Sequence, residues 1–144
     1  MQVNEVMTPG VECTQPNATL QRVAQRMKEL NIGTLPVCDD GGRLVGMVTD
    51  RDITVRAVAD GRDPRTCLIR EVMTPNIVYC FEDQDVAEAA DLMMENQIRR
   101  LVVLNRDKKL IGIVSLGDLA VDTGDEHLVG SALEAVSEPA QPMR

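Results

Sequence analysis

The sequence predicts a mixed α/β (α+β) fold made of two copies of one β-α-β-β-α unit. Glu-Val-Met-Thr-Pro occurs at Glu5–Pro9 and again at Glu71–Pro75. The two occurrences are 66 residues apart, and further identical residues recur at this spacing as far as Asp52 and its counterpart Asp118. No insertion or deletion is needed to align the copies. In each copy, apolar residues recur at helical spacing between short β-rich runs. The repeat is therefore the organising unit of the chain.

The first copy begins with a short β-rich run, "GVECT", followed by a helix. Thr19 is its expected N-cap, and Asn31-Ile32-Gly33 can end it. "LPVC" and "RLVGMVT" flank "DDGG", which signals a hairpin, and a second helix is expected to start at Thr49. The predicted apolar stripe of the first helix is Leu20, Val23, Ala24, Met27 and Leu30.

The second copy repeats this order, starting with the β-rich run "NIVYC". Asp85 is the expected cap of its first helix, and "LVVL" and "LIGIVS" form the hairpin strands around "NRDKK". The second helix is expected to start at Ser115. The predicted apolar stripe is Val86, Ala89, Ala90 and Met93.

The repeat also predicts the domain organisation. One such unit buries little apolar surface alone, so the two copies are expected to pack sheet to sheet about an approximate two-fold axis. The predicted segments are a first repeat at residues 1–60, a linker at 61–68, a second repeat at 69–122, and a C-terminal helix and tail at 123–144.

The C-terminal segment has no counterpart in the repeat. Thr123 and Glu126 are spaced as a capping box, which predicts a helix after them. Pro139 and Pro142 are expected to end that helix, with frayed residues beyond. The residues expected to face inward are Leu128, Val129, Ala132, Leu133 and Val136.

Composition excludes several classes of protein. The net charge of −8 argues against binding to nucleic acid through phosphates, and the near absence of aromatic residues argues against stacking on bases. No apolar run approaches the roughly 20 residues that span a bilayer, so no membrane association is expected. The first ten residues lack the features of a signal peptide, and the cytoplasm is the expected location.

The four cysteines form no CxxC pair, and the sequence has one histidine, so no metal site is expected. Cys13 and Cys38 fall on strands expected to be neighbours. A disulfide or redox-sensitive pair between them is conceivable, but a cytosolic setting favours free thiols.

Two four-residue motifs carry the candidate chemistry: Thr49-x-x-Asp52 and Ser115-x-x-Asp118. A carboxylate at a helix start can accept hydrogen bonds from both hydroxyls of a ribose, and the preceding hydroxyl can meet the sugar or a phosphate. The same residues also spell a capping box that stabilises the helix. The two roles are compatible.

With "VMTP" at the front of each copy and "GMVTDRDI" or "GIVSLGDL" at the rear, residues 3–121 resemble a CBS domain pair (Bateman module). The chain is similar to the small stand-alone CBS-pair proteins of bacteria. This resemblance implies that adenosine-containing ligands bind in the clefts between copies, namely AMP, ADP or ATP, sometimes NADH or S-adenosylmethionine, with no obligatory cofactor. It also implies a flat, disk-like homodimer.

The resemblance assigns a phosphate-binding role to Arg99 and Arg100, because arginine offers two charge-assisted bonds from one planar group. The alternative is an exposed pair that solvates a turn. The first copy has Gly33 and Thr34 at these positions, so the resemblance does not imply equal phosphate affinity at the two clefts. Arg51 is a candidate to compensate on that side.

The resemblance also places the adenine against Ile113 and Met47, each of which follows a glycine, with plain core packing as the alternative for each apolar residue. The opposite copy is expected to supply the other wall of each cleft. For the cleft with Asp118 these residues are Thr8, Pro9, Gly10, Ile32 and Gly33. For the cleft with Asp52 they are Thr74, Pro75, Asn76, Ile98 and Arg99.

The sequence bears on three classes of function. Catalysis is not expected, because Ser115, Asp118 and His127 form no arguable nucleophile–base–orienter constellation. A regulatory module that senses a nucleotide and signals by conformational change is the leading hypothesis. The alternative is a dimerising scaffold without functional nucleotide binding, whose C-terminal helix docks on an unknown protein partner.

Overall fold

The structure is a computed structural model that describes residues 1–138. The chain forms two compact units. Among the described residues, unit 1 contains Met1–Val11, Val78–Asp107 and residues 111–138, and unit 2 contains Glu12–Ile77 and Lys108–Leu110. Each unit thus combines most of one sequence repeat with the leading segment of the other repeat. The leading segment of the first repeat is Met1–Val11, which belongs to unit 1, and that of the second repeat is residues 69–77, which belong to unit 2.

Among residues 1–138 the structure contains six strands and five helices. In chain order these are β1 (Thr8–Pro9), α1 (Leu20–Leu30), β2 (Thr34–Cys38), β3 (Leu44–Thr49), α2 (Asp50–Asp52), β4 (Tyr79–Phe81), α3 (Val86–Asn96), β5 (Arg100–Leu104), β6 (Leu110–Ser115), α4 (Leu116–Asp122) and α5 (Glu126–Val136). Helix α2 continues as a π-helix over Ile53–Val58, and 3₁₀ turns lie at Val3–Glu5 and Ile69–Glu71.

Unit 1 is built on a four-stranded sheet with the order β1-β6-β5-β4. Strand β1 pairs antiparallel with β6, so that Thr8 lies opposite Ile113, and β4 runs parallel to β5. The leading segment is also fixed beside α3, where the Val3 amide donates to the Gln84 carbonyl at 2.9 Å. The apolar core of this unit is Val3, Val6, Cys80, Val86, Ala89, Ala90, Met93, Leu101, Val103, Val114, Leu116, Leu119 and Ala132.

Unit 2 is built on the antiparallel hairpin of β2 and β3, in which Thr34 lies opposite Thr49. The leading segment of the second repeat joins this hairpin through two hydrogen bonds between Met47 and Thr74, of 2.9 and 2.8 Å. Its core is Leu20, Val23, Met27, Leu35, Val37, Val48, Ala57, Cys67, Ile69 and Val72. The Met47–Thr74 pair is therefore the repeat counterpart of the Ile113–Thr8 pair in unit 1.

Close packing at two glycines accompanies this pairing. A Cβ atom on Gly112 would lie 2.8 Å from the Thr8 carbonyl oxygen and 2.8 Å from the Met7 sulfur. On Gly46 it would lie 3.1 Å from the Thr74 oxygen and 2.7 Å from the Met73 sulfur. Real Cβ atoms do not approach other atoms below 3.0 Å, so a glycine in β3 and in β6 lets the leading segment come near.

The predicted caps of the two long repeat helices are confirmed. Thr19 accepts a hydrogen bond from the Arg22 amide at 3.3 Å, and Asp85 accepts one from the Ala87 amide at 2.9 Å. Asn31 ends α1 in the left-handed conformation with a φ of 54°, and Gln97 does the same for α3 with a φ of 51°.

The apolar stripe of α1 is shorter than predicted. Leu20, Val23 and Met27 are buried, whereas Ala24 and Leu30 are exposed. All four predicted positions of α3 are buried. The first β-rich run, "GVECT", contributes one bridge at Thr14 and no strand, because its pairing with β2 stops after one residue pair.

The predicted capping box of the C-terminal helix is wrong. The N-cap of α5 is Asp125, which accepts a hydrogen bond from the Leu128 amide at 3.0 Å. The Thr123 hydroxyl instead donates to the Leu119 carbonyl at 2.6 Å, closing the end of α4. Leu133 was expected inside but is 47% exposed. Ala132 is buried, and Leu128, Val129 and Val136 pack against the core of unit 1. Pro139 and Pro142 lie outside the described residues.

Within residues 1–138, no helix combines the length and the apolar character needed to cross a lipid bilayer.

Candidate ligand-binding sites

The start of α4 forms a reciprocal cap in unit 1. The Asp118 amide donates to the Ser115 hydroxyl oxygen at 3.0 Å, and the Ser115 amide donates to the Asp118 carboxylate at 2.8 Å through Oδ2. Ser115 has an extended backbone at the end of β6, which turns the chain into the helix. The capping interpretation of the Ser-x-x-Asp motif is therefore correct, and it fixes the carboxylate in one orientation.

The start of α2 repeats this geometry in unit 2. The Asp52 amide donates to the Thr49 hydroxyl oxygen at 3.0 Å, and the Thr49 amide donates to the Asp52 carboxylate at 2.9 Å, again through Oδ2. The Asp50 amide donates to the Gly33 carbonyl at 2.9 Å. The Leu116 amide donates to the Arg99 carbonyl in the same way, at 2.8 Å. Each helix start is thus tied to the segment that precedes the neighbouring strand.

The two carboxylates differ in what their second oxygen meets. Oδ1 of Asp52 lies 3.8 Å from Nε of Arg56, one helical turn further along. Oδ1 of Asp118 has no hydrogen-bond or ion-pair partner within the described part of the chain, and the repeat counterpart of Arg56 is the acid Asp122. The Asp52 side chain is 14% exposed, and Asp118 is half-buried. The site at Asp52 therefore contains the guanidinium of Arg56 next to its carboxylate, whereas the site at Asp118 has a carboxylate oxygen with no partner among the described residues.

Arg56 was missed by the sequence analysis. Its Nη1 atom donates to the carbonyls of Val72 and Met73, at 3.3 and 3.5 Å, so it also holds the leading segment in unit 2. The acid-to-arginine spacing of four residues between Asp52 and Arg56 was an available signal. Arg51, the expected compensating cation, is exposed, and its guanidinium makes no ion pair among residues 1–138.

The structure brings several predicted residues together in each unit. In unit 1, β1 places Thr8 opposite Ile113 and Pro9 opposite Gly112, and Gly10 follows with a φ of 69°. All three leading-segment residues are exposed.

In unit 2, Thr74 pairs with Met47, and the two residues after it, Pro75 and Asn76, are exposed. Thr34 faces Thr49 across the hairpin, and Met47 is half-buried. The remaining predicted walls, Ile32 and Gly33 for Asp118 and Ile98 and Arg99 for Asp52, belong to the other compact unit in each case. The clefts between copies stay a prediction.

A pocket of about 720 Å³ lies within unit 1 beside the two predicted phosphate-binding arginines. Its polar wall includes Arg99, Arg100 and Ser115, all predicted site residues, and Ile98 adds apolar surface. The other lining residues are Leu116, Gly117, Ala120, Val129 and Leu133. Asp118 and the leading segment do not line this pocket. Helix α5 thus contributes Val129 and Leu133 to a wall that the sequence analysis did not predict.

Both arginines are exposed, but one of them has a partner at the residue that follows α5. Nη2 of Arg99 donates to the Ser137 hydroxyl oxygen at 3.3 Å, and the neighbouring Gln97 amide group donates to the Ala135 carbonyl at 3.4 Å. Arg100 makes no ion pair within residues 1–138. Arg100 is therefore the cation more readily available to an anionic ligand.

No group of three or more His, Cys, Asp or Glu side chains that could hold a metal ion occurs among the described residues.

Comparison with known proteins gives matches over most of the chain. The family model described as CBS domain matches twice, at residues 3–58 and 69–121. The CBS domain-containing protein YhcV of Bacillus subtilis is 42% identical over 135 residues, which cover 94% of each chain. Hypoxic response protein 1 of Mycobacterium tuberculosis is 37% identical over 135 residues, covering 94% of this chain and 93% of the relative.

Two similar solved structures contain ligands. The CBS domain pair of protein MJ0100, in complex with 5′-methylthioadenosine and S-adenosyl-L-methionine, is 27% identical with a TM-score of 0.71, covering 86% of this chain and 96% of the other. CBSX2 in complex with AMP is 27% identical with a TM-score of 0.70, covering 92% and 96% of the two chains.

Proposed function

The chain belongs to the CBS domain family, and from that premise we propose that it is a regulatory module that binds an adenosine-containing ligand. It is a tandem CBS pair of mixed α and β structure. The complexes of MJ0100 and CBSX2 support a ligand of this chemical class. Within the class we propose AMP, ADP or ATP, with NADH and S-adenosylmethionine as the other candidates.

The observation that carries the proposal is the carboxylate of Asp118. One of its oxygens is fixed by the Ser115 amide, and Oδ1 has no partner within the described residues. An oriented, half-buried carboxylate oxygen suits a sugar hydroxyl, because both the orientation and the partial dehydration are already in place before binding. Thr8 and Ile113, paired on β1 and β6, lie in the same unit.

The phosphate is proposed to bind at Arg100 and Arg99. Both border the pocket that also includes Ser115, so a phosphate there would lie near the helix start that holds Asp118. A phosphate that engages Arg99 would compete with the Ser137 hydroxyl for the same guanidinium. Binding would then loosen the contact between α5 and the β5 segment, which gives a partner protein a change to recognise.

Unequal affinity of the two sites is part of the proposal. At Asp52 the guanidinium of Arg56 lies near Oδ1, the oxygen whose counterpart in Asp118 has no partner among the described residues. The same guanidinium also donates to two backbone carbonyls. A ribose at Asp52 would have to displace part of that network. We therefore propose that the Asp118 site has the higher affinity.

Isothermal titration calorimetry with AMP, ADP, ATP, NADH and S-adenosylmethionine tests the proposal. The informative variant is Asp118→Asn, because the asparagine oxygen can still accept from the Ser115 amide while the remaining NH₂ group cannot accept from a sugar hydroxyl. For the ligand that binds, this variant is expected to weaken binding roughly 10- to 100-fold, through the loss of charge-assisted hydrogen bonds.

Asp52→Asn is the matched control, and it is expected to leave the tighter binding event within about three-fold of the wild-type value. A thermal stability of both variants equal to that of the wild type would show that the caps are intact. Binding that is unchanged in Asp118→Asn, or silence across the whole ligand panel, would refute the assignment.

Self-association is the second proposal, and exposed valines support it. Val55 and Val121 occupy equivalent positions in the two repeats and are 49% and 82% exposed, and Val58 is 65% exposed. Apolar side chains at equivalent solvent-facing positions suit an interface between two copies of the chain. We propose a homodimer, which Val55→Asp and Val121→Asp are expected to weaken in sedimentation velocity runs. A dimer indifferent to both changes would exclude these helices from the interface.

The proposed role is regulatory and not catalytic, with a protein partner still to be identified and the cytoplasm as the proposed location. A dimerising scaffold remains the alternative function, supported by the same exposed valines. Recovery of a partner that depends on nucleotide would support the sensor, whereas recovery independent of every nucleotide tested would support the scaffold.

A further inference from the structure

Two cysteines of unit 2 lie at a junction of neighbouring backbone segments. Thr14 forms a parallel bridge with Val37, in which the Thr14 amide donates to the Pro36 carbonyl at 2.9 Å and the Cys38 amide donates to the Thr14 carbonyl at 2.8 Å. Side chains alternate along extended backbone, so the residues next to the bridged pair, Cys13 and Cys38, point to the same side. The bridge therefore places the two thiols on one face.

The two thiols differ in exposure and interact with each other. Cys13 is exposed and Cys38 is buried. Burial raises the pKa of Cys38 above its ordinary value, and the negative charge of a Cys13 thiolate and a hydrogen bond with Cys13 raise it further. Burial alone raises the pKa of Cys80 to about 12, with no second thiol involved. Cys13 and Cys38 are thus an interacting pair in which one member is accessible from solvent.

A polar pocket of about 700 Å³ opens beside Cys13. Its polar lining residues, apart from Cys13 and Thr14, are Gln15, Asn17, Gln25, Arg22, Arg26, Glu12 and Glu29. Arg26 is held by the carboxylates of Glu12 and Glu29. The Arg22 guanidinium makes no ion pair among residues 1–138, and it remains available to an anion. The pocket therefore offers hydrogen-bonding groups and one uncommitted positive charge next to an exposed thiol.

We propose that this pocket binds a low-molecular-weight disulfide carrying carboxylate groups, and that thiol–disulfide exchange at Cys13 is completed by Cys38 to give a Cys13–Cys38 disulfide. Arg22 binds a carboxylate of the incoming molecule. Neither cysteine belongs to the nucleotide sites, so this redox site is independent of the nucleotide proposal.

The exchange proceeds in two steps that conserve atoms and electrons. The Cys13 thiolate attacks one sulfur of the small disulfide, which forms a mixed disulfide and releases the other half as a thiolate. The Cys38 thiol then loses its proton and attacks Sγ of Cys13, which forms the internal disulfide and releases the second small thiolate. Both small thiolates take up the protons that the cysteines lost. The protein pair is oxidised by two electrons, and the small disulfide is reduced to two thiols.

The test uses the full chain, reduced and desalted under argon, then incubated with oxidised glutathione and alkylated. Mass mapping is expected to find a peptide containing Cys13 linked to one containing Cys38, with Cys67 and Cys80 alkylated as free thiols. A wild-type protein that stops at a glutathione adduct on Cys13, or that keeps four free thiols, would overturn the proposal. This measurement needs no variant.

Two variants separate the steps. Cys38→Ala is expected to accumulate one glutathione per chain, on Cys13, and Cys13→Ser is expected to accumulate none. Far-UV circular dichroism shows whether each is folded, and the wild-type mapping stands if the buried substitution unfolds the protein. A cross-link to Cys67 or Cys80 in wild type would contradict the assigned pair.

Recognition of the carboxylate is tested at Arg22. Arg22→Ala is expected to slow the reaction with oxidised glutathione about three-fold while leaving the rate with neutral 2-hydroxyethyl disulfide unchanged, as befits an exposed ion pair. Arg70→Ala is the control, because Arg70 is an exposed arginine of unit 2 that does not line the pocket. Equal slowing with both disulfides would refute the role of charge.

Discussion

Gly112 lies so close to Thr8 that a Cβ atom on the glycine would be 2.8 Å from the threonine carbonyl oxygen. The obstacle is backbone, which cannot rotate away as a side chain does. Gly112→Ala is therefore expected to push β1 from β6 and to lower the free energy of unfolding by about 2 kcal/mol, as overpacked cores do. Urea denaturation of the variant and the wild type measures the difference.

Gly46 and Gly130 serve as controls for this prediction. At Gly46 the nearest atom is the flexible Met73 sulfur, so Gly46→Ala is expected to cost about 1 kcal/mol. Gly130 lies in α5 with open space around it, and Gly130→Ala is expected to raise stability by about 0.8 kcal/mol. A larger loss for Gly46→Ala than for Gly112→Ala would contradict the packing argument.

The carboxylate of Glu71 makes contacts in the leading segment of the second repeat that are expected to weaken in acid. The Leu68 amide donates a hydrogen bond to its carboxylate at 2.7 Å, and the Arg62 guanidinium donates another at 2.9 Å. The hydrogen bond from the Leu68 amide, and after it the one from Arg62, lower the pKa of Glu71 below its ordinary value of 4.5. A lowered folded-state pKa stabilises the fold above pH 4.5, and that stabilisation is lost as the pH falls through the lowered value. Glu71→Gln is expected to unfold at lower urea than wild type at pH 7.

The difference between wild type and Glu71→Gln is expected to shrink as the pH falls below 4.5 and to vanish once the glutamate is protonated as well. Glu95→Gln, an exposed position on α3, is the control and should differ from wild type at neither pH. A difference that persists undiminished into acid would show that the charge of Glu71 is irrelevant.

Arg56 is expected to stabilise the leading segment from its position on the π-helical turn. Arg56→Ala removes its contacts with Asp52 and with the carbonyls of Val72 and Met73. The side chain is 52% exposed, so the expected loss is about 0.7 kcal/mol. Amide hydrogen exchange at Thr74, whose N–H bonds to Met47, is expected to accelerate.

Arg51→Ala is the control for this change, because the Arg51 side chain is exposed and makes no ion pair among the described residues. Faster exchange at Thr74 in both variants would mean that the general loss of positive charge, and not the Arg56 contacts, governs the segment.

Asp125 is expected to determine where α5 begins. Asp125→Ala removes the acceptor for the Leu128 amide and should cost about 1 kcal/mol. Hydrogen exchange at Leu128 is the direct measurement, and Thr123→Ala is expected to leave that amide protected. Loss of protection at Leu128 in the Thr123 variant alone would restore the capping box predicted from the sequence.

Local chemistry explains why much of the fold was predictable. The caps at Thr19 and Asp85, the left-handed residue Asn31 and the two reciprocal helix starts each depend on a few neighbouring residues. The helix at residues 126–136 was predicted, but its cap was assigned to Thr123. Two side-chain acceptors lie within three residues there, and the Thr123 hydroxyl is engaged elsewhere, because it donates to the Leu119 carbonyl and accepts from the Asp125 amide.

Tertiary pairing explains what the residues alone did not predict. The proximity of Thr8 to Ile113 of the other repeat was expected only through the family resemblance, because strand pairing at such a separation is decided by the packed whole. The same holds for Val129 and Leu133, which line a pocket beside Arg99 although their spacing predicted core positions. Arg56 was overlooked although Asp52 lies four residues before it, and its other partners, the carbonyls of Val72 and Met73, lie in a segment distant along the chain.

The exchange of leading segments has a consequence for how the protein is made. Met1–Val11 has to wait until β6 has left the ribosome before its last partners exist, so unit 1 is completed only when segments of both repeats have been synthesised. A fragment that contains the second repeat alone lacks the buried Val3 and Val6 of unit 1. A fragment that contains the first repeat alone lacks their counterparts in unit 2, Ile69 and Val72. Separately expressed halves should therefore be poorly folded apart and recover structure when mixed, as a split protein reassembles.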